Sequence, residues 1–314
     1  MRIPRWLTAG ACALVLCLPV HAATPAAGAP PVPLLWKVSD ADNALYLLGS
    51  FHMLRPSDYP LAAEVQAAFD DAESVVFEIA PEEMDSPALG MQMGQAAMRA
   101  DGTRLDAALP EATRQKLAAW TTAHADALQR TGVPPQALQL FEPWFVGLMV
   151  SIVDMSGRGL DPRLGLDHHF AEAARQAGKA TAGLETGAEQ IAFLDAMDPK
   201  EQLQFLDDAL AQAGKDDIDQ LHAAWRRGDA QRLWDAMGME MRETYPQLYR
   251  HINVERNDNW LPELRARLDA AGTDDTLVVV GALHLLGPDG VVEKLRKAGY
   301  RVERICTACG AGAR

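Results

Sequence analysis

The chain has 314 residues, with 43 acidic side chains against 29 lysines and arginines, a formal charge of −14. So acidic a surface disfavours polyanions electrostatically, and nucleic acid is excluded as an expected partner. Of the four cysteines, Cys12 and Cys17 lie near the start and the other two form a lone C-x-x-C, where a four-ligand structural zinc site would want a second pair.

The first 22 residues carry Arg2 and Arg5, an apolar stretch from Leu7 to Val20, and the small-residue pattern Val20-His21-Ala22, the plan of a secretory signal. Cleavage there removes two arginines and no acid, leaving a mature charge of about −16. The apolar stretch is short of the roughly 20 residues that a membrane span needs, and no later stretch qualifies. The mature chain is therefore expected in the periplasm or outside the cell, with no membrane span. Residues 23–33, including the Pro/Ala-rich "TPAAGAPPVP", read as a flexible leader. Residues 34–306 then form one α/β domain and residues 307–314 a tail, and the C-x-x-C pair Cys306 and Cys309 straddles that boundary. In an exported chain that pair is a local disulfide or two idle thiols.

"LYLLGSFHML", residues 45–54, opens with a continuous apolar run of the kind found in strands buried on both faces. "PLAAEVQAAFDDAE" places Leu61, Val65 and Phe69 on one helical face, and "SVVFEI" returns as a strand. Strand, helix and strand make a right-handed βαβ unit with its strands parallel and close together. His52 then lies past the carboxyl end of the first strand and Glu78 near that of the second, on the edge where open α/β sheets bind ligands.

Stretches from about residue 86 to 160 and 190 to 270 have helical spacing, as in Leu117, Trp120 and His124, or Leu221, Trp225 and Leu233. "EPWFVGLMVSIVDM" is the most apolar, and Pro143, Asp154 and its length make it a core helix. Between these stretches an amphipathic helix stops at Gly178, and a short strand follows that ends at Glu185. His168 and His169 open that helix, with Asp167 read as its cap. Near the end, "TLVVVG", His284, a helix, Gly299 and "YRVERI" repeat the plan of the first unit. The fold class is thus α/β: a largely parallel central sheet flanked by helices, with helical insertions.

The repeated feature is Gly-x-x-His, with Gly49 and His52 first and Gly281 and His284 second. Glycine lets the backbone leave a strand at unusual angles and lets a ligand come close. Two imidazoles and Glu78 on one edge can be a metal site with open positions for water, or a metal-free hydrolytic site in which Glu78 orients a histidine base. The ion would be divalent, with Mn, Co and Zn open. Glu185 is either a second carboxylate of the site or an exposed loop residue. Arg256 and Asn257, at the start of a helix ahead of the second motif, are either an oxyanion donor with its neighbour or part of a solvated helix face. His124, His222 and His251 lack partner spacing and read as surface or core residues.

Taken in order, "YLLGSFHML", "VVFEIA", "GLETGAEQ", "VERNDNW" and "VVVGALHLLGPDGVVEKLRKAGYRV" resemble the TraB/GumN family, which includes the Tiki extracellular metalloproteases. The resemblance implies an exported α/β protein, similar in architecture to erythromycin esterase and the haem-binding lipoprotein ChaN. It implies His52 and His284 as metal ligands, Glu78 as the acidic residue of the site, and the pair Arg256 and Asn257 as part of the pattern. The expected activity is a metal-dependent hydrolase acting on a peptide or small molecule. The alternatives are a metal-free esterase or amidase and a periplasmic haem- or metal-binding protein.

Overall fold

The computed structural model describes residues 29–309. The signal, residues 23–28 of the leader and residues 310–314 of the tail lie outside the described residues.

Six strands form one open sheet: β1 (Leu35–Ser39), β2 (Ala44–Ser50), β3 (Ser74–Ile79), β4 (Ala180–Glu185), β5 (Thr276–Gly281) and β6 (Arg301–Ile305), in the order β4-β3-β5-β2-β1-β6. β2, β5, β3 and β4 are parallel, whereas β1 runs antiparallel between β2 and β6. β2 and β5 are buried at every residue, which is why both are written as unbroken apolar runs and not as alternating ones.

β5 inserts between β2 and β3. Leu48 pairs with Val279, and Phe77 pairs with the same residue from the other side. The two strands of the first βαβ unit are parallel as expected but are neighbours once removed, because the second motif's strand fills the gap. That insertion places the second motif's strand between the strands that lead to His52 and Glu78.

β1 was not expected from the sequence as a strand. Its pairing with both β2 and β6 makes the sheet mixed at one side. The end of the leader is also docked and not loose: Pro31 and Pro33 are buried, and the Val32 N–H donates to Arg226 O at 2.8 Å.

The helices 63–71, 166–177 and 256–268 pack on the sheet, and their apolar residues join the main core with β2, β3 and β5. Pro143–Gly157, the apolar helix, is buried against Pro199–Gln212 in the insertion, where two smaller apolar clusters lie. Among the described residues no helix is long and apolar enough to cross a membrane.

Gly178 ends its helix in the left-handed region at φ 68°, as read from the sequence. Asp167 is not that helix's cap. The cap is Gly165, where a Cβ would stand 2.2 Å from His52 O, and Asp167 lies in the first turn with its carboxylate turned elsewhere. Cys306 and Cys309 form a disulfide.

Candidate active site

Every sequence-nominated residue of the site lies on one edge of the sheet, and side-chain contacts link all six. His284 is the most constrained. Its Nδ1–H donates to Asn257 Oδ1 at 2.7 Å, and the Asn257 amide is itself fixed by donating to Asp289 O at 2.9 Å and His284 O at 3.3 Å. The tautomer follows: Nε2 carries the lone pair and accepts from Arg256 Nη1 at 3.0 Å. Burial, only partly offset by Glu78 and reinforced by Arg256, pushes His284 down to about 3, so the ring is neutral.

His52 differs. Its Nδ1–H donates to Asp167 Oδ2 at 2.8 Å, and Ser50 Oγ donates to the same oxygen at 2.7 Å. The Asp167 charge raises the His52 pKa, and water screens that effect at a side chain 60% exposed. The orienting carboxylate of this histidine is therefore Asp167, where the sequence reading named Glu78.

Glu78 faces both rings instead. Its Oε1 lies 3.9 Å from His52 Nε2 and 3.9 Å from His284 Nε2, and it accepts the Gly281 N–H at 2.7 Å. Oε2 accepts from Arg256 Nη2 at 2.5 Å and from Gln190 Nε2 at 3.1 Å. Burial would raise this carboxyl, but Arg256, His52 and the Gly281 N–H outweigh it and hold Glu78 well below the usual carboxylate range.

Glu185 reaches the site through Arg256. Arg256 Nε and Nη2 donate to it at 3.0 and 2.5 Å, and Trp260 Nε1 donates to its other oxygen at 2.9 Å. With a further bond from Nη1 to Ile252 O, all five N–H groups of Arg256 are spoken for. A substrate carbonyl gains a donor here only in exchange for one of them. Trp260 also lies under the guanidinium, 5.0 Å from its ring centre, and 4.5 Å from the His284 ring.

The glycines act through space, not through unusual angles. Gly281 has φ −51° and ψ 136°, which any residue adopts, but a Cβ there would stand 2.9 Å from His52 Nε2 and 3.1 Å from Glu78 Oε1. A Cβ on Gly49 would press on Leu34 and Ala282, the next residue of the second motif. The glycines let two parallel strands bring their histidine loops together.

Residues 34–304 match one family over most of the chain. The protein belongs to the TraB/PrgY/gumN family. No individual curated protein and no solved structure matches the chain.

In this TraB/PrgY/gumN chain the donor types, two imidazoles and a carboxylate, are ones that hold a divalent ion, but the His284 Nε2 lone pair is engaged by Arg256 Nη1. Each histidine has Nδ1 tied to an oxygen acceptor and Nε2 turned towards one carboxylate oxygen, the arrangement in which outer partners fix a metal-binding imidazole. Two ligands each ~2.1 Å from one ion stand roughly 3.0–3.5 Å apart, so for Glu78 Oε1 to share an ion with either histidine its 3.9 Å separation from that ring must shorten. As they stand, no three His, Cys, Asp or Glu side chains among the described residues are gathered as a metal-holding group.

The sequence reading missed four contributors: Ser50, Asp167, Gln190 and Trp260. Gln190 follows Glu185 by one capped helical turn, and that spacing is the signal that could have revealed it. Asp167 was hidden by a plausible capping role. Of the histidines set aside, His222 is buried on Asp58, His168 stands 3.6 Å from Asp85, and His169 packs on Tyr59.

Proposed function

We propose that this protein is an exported, metal-dependent hydrolase acting on peptides, in which His52 and His284 hold a divalent ion through Nε2. The observation that carries the reading is the pair of equal 3.9 Å separations between those nitrogens and a single oxygen of Glu78, each ring being locked at Nδ1. The bound ion would supply Lewis acidity and bring the pKa of a coordinated water towards ~7.

The chain's own residues supply the rest. Glu78 Oε1, which faces both rings, would take the proton from a water there as the water oxygen bonds to the carbonyl carbon, and would hand it to the departing amine nitrogen as the C–N bond breaks. Oε2 stays tied to Arg256 and Gln190, so the carboxylate does not swing away. Arg256 and Glu185 hold that geometry as a buried ion pair, and Asn257 holds the His284 tautomer. Mn, Co and Zn all suit two imidazoles and a carboxylate. Support for export comes from the N-terminal sequence and from the Cys306–Cys309 disulfide, a bond of oxidising compartments.

The test is the metal content of purified wild type, His52→Ala and His284→Ala, together with cleavage of a peptide library. Metal in the wild type and its loss from both variants is the expected result, and equal content in all three sinks the reading.

One observation favours a second reading. The His52–Asp167 pair has the form of a general base oriented by a carboxylate, which suits a metal-free esterase or amidase. Hydrolysis that survives exhaustive chelation and disappears in His52→Ala would select it.

A further inference from the structure

A groove of about 640 Å³ lies in the helical insertion, formed by residues none of which belongs to the histidine site. Its volume is within the range of ligand pockets, roughly 300–1,000 Å³. Phe205, Leu221, Met237, Met241 and Tyr245 give it an apolar lining, with methionines that re-pack readily. Around them stand Asp208, Asp217, Asp235 and Glu240 against one arginine, Arg232.

The carboxylates are not consumed internally. Asp208 has the neutral Tyr245 as a neighbour, Asp235 accepts from the neutral Gln231, and Arg232 donates to Gln220 at 3.3 Å. Only Asp154, which also lines the groove, is paired with an arginine, Arg158. The groove is thus apolar along its lining, negative around it and concave. Acid alone would not distinguish it on a chain of charge −14. Its distinguishing feature is the apolar lining beneath uncompensated charge, which asks for a ligand with apolar side chains flanked by cations.

Two segments that line it also support the histidine loops. The Asp217–Arg226 helix contributes Asp217 and Leu221, while Trp225 on the same helix donates to Gly49 O at 3.1 Å and His222 bonds Asp58. The π-helical Trp234–Met239 contributes Asp235 and Met237, while its Trp234 fills the space that a Cβ on Gly287 would need. A ligand seated here lies against the elements that place both motifs.

We propose that this groove binds a cationic amphipathic peptide segment. The proposal does not depend on whether His52 and His284 hold an ion.

The test is fluorescence anisotropy of a labelled peptide with leucines on one helical face and lysines on the other, titrated with the full chain at ~0.15 M salt, where distant charges are screened. Saturable one-to-one binding is expected. It should weaken at least tenfold in the triple variant Asp208→Asn, Asp235→Asn, Glu240→Gln, and separately in Met241→Gln. A control triple, Glu111→Gln, Glu172→Gln, Asp274→Asn, removes the same charge from exposed positions elsewhere and should bind as wild type. Thermal melting confirms that each variant is folded, and Met241→Gln carries the test if the groove triple is not. No binding, an equal loss in the control triple, or equal binding of a peptide with glutamates in place of lysines overturns the proposal.

Discussion

Arg256 Nη1 donates to His284 Nε2 at 3.0 Å, so a guanidinium occupies the lone pair that a metal ion would need. Among the described residues the same cation is the only arginine bonded to Glu78 and Glu185, and all three side chains are at most 11% exposed. It therefore compensates buried charge first and competes for the imidazole second. Arg256→Met leaves two buried carboxylates without their cation and is expected to destabilise the fold by about 3–5 kcal/mol. Adding Glu185→Gln to it should recover part of that loss, because the two sites share one interaction. Chemical denaturation of the single and double variants measures both. A cost under ~1 kcal/mol for the single variant would show that these carboxylates do not rely on Arg256.

Gly281→Ala probes the space between the rings directly. The backbone there is ordinary, and the Gly281 N–H that holds Glu78 is retained, so any loss of stability comes from the side chains that the methyl displaces and not from the backbone. The new methyl stands 2.9 Å from His52 Nε2 and 3.1 Å from Glu78 Oε1. Calorimetric titration with Zn²⁺ or Mn²⁺ should show affinity reduced by at least ~10-fold relative to wild type. Unchanged affinity would place the ion, if any, somewhere else.

Asp167→Asn tests the outer partner of His52. The variant keeps the size of the side chain but removes the charge that accepts from both His52 Nδ1 and Ser50 Oγ. Loss of such a partner costs roughly 10–100-fold in metal affinity. The same titration measures it, and an affinity equal to wild type would mean that His52 needs no anchoring.

The strands of the site were legible because they are buried on both faces. "LYLLG" and "TLVVVG" have no other comfortable home, and a glycine then a histidine after each marks the same sheet edge. Spacing also placed Glu185 at a strand end. What periodicity could not give was strand order. Nothing local in residues 276–281 says that β5 separates β2 from β3, since that is decided by packing between segments more than 200 residues apart. β1 escaped because "LLWKVS" is short and takes its partners from both β2 and the distant β6. Asp167 shows the other limit. An aspartate ahead of an amphipathic run has a sufficient local explanation as a cap, and only the approach of His52 from the first motif gives it a different task.

A second buried ion site supports the first histidine loop, and it sets an acid limit on the fold. Asp58 is fully buried, accepting from the Arg55 N–H at 2.7 Å, from His222 Nε2 at 2.8 Å, and from Arg226. Burial opposes its ionisation, but those three bonds together outweigh it and hold the carboxyl below the ordinary aspartate value of 3.8. The unfolded chain therefore binds this proton at a higher pH than the folded one. Asp58 contributes stability in full above the ordinary value, and the contribution drains away as pH falls through the depressed folded value. Asp58→Asn lacks the term, so the stability gap between wild type and variant should be constant from neutral pH to about pH 5 and then narrow steadily in more acidic solution. Urea denaturation of both proteins from neutral pH down to about pH 2.5 measures the gap. A gap that keeps its full size throughout that range would mean that the folded carboxyl is not depressed, and that the His222 and Arg226 contacts do not favour its charge.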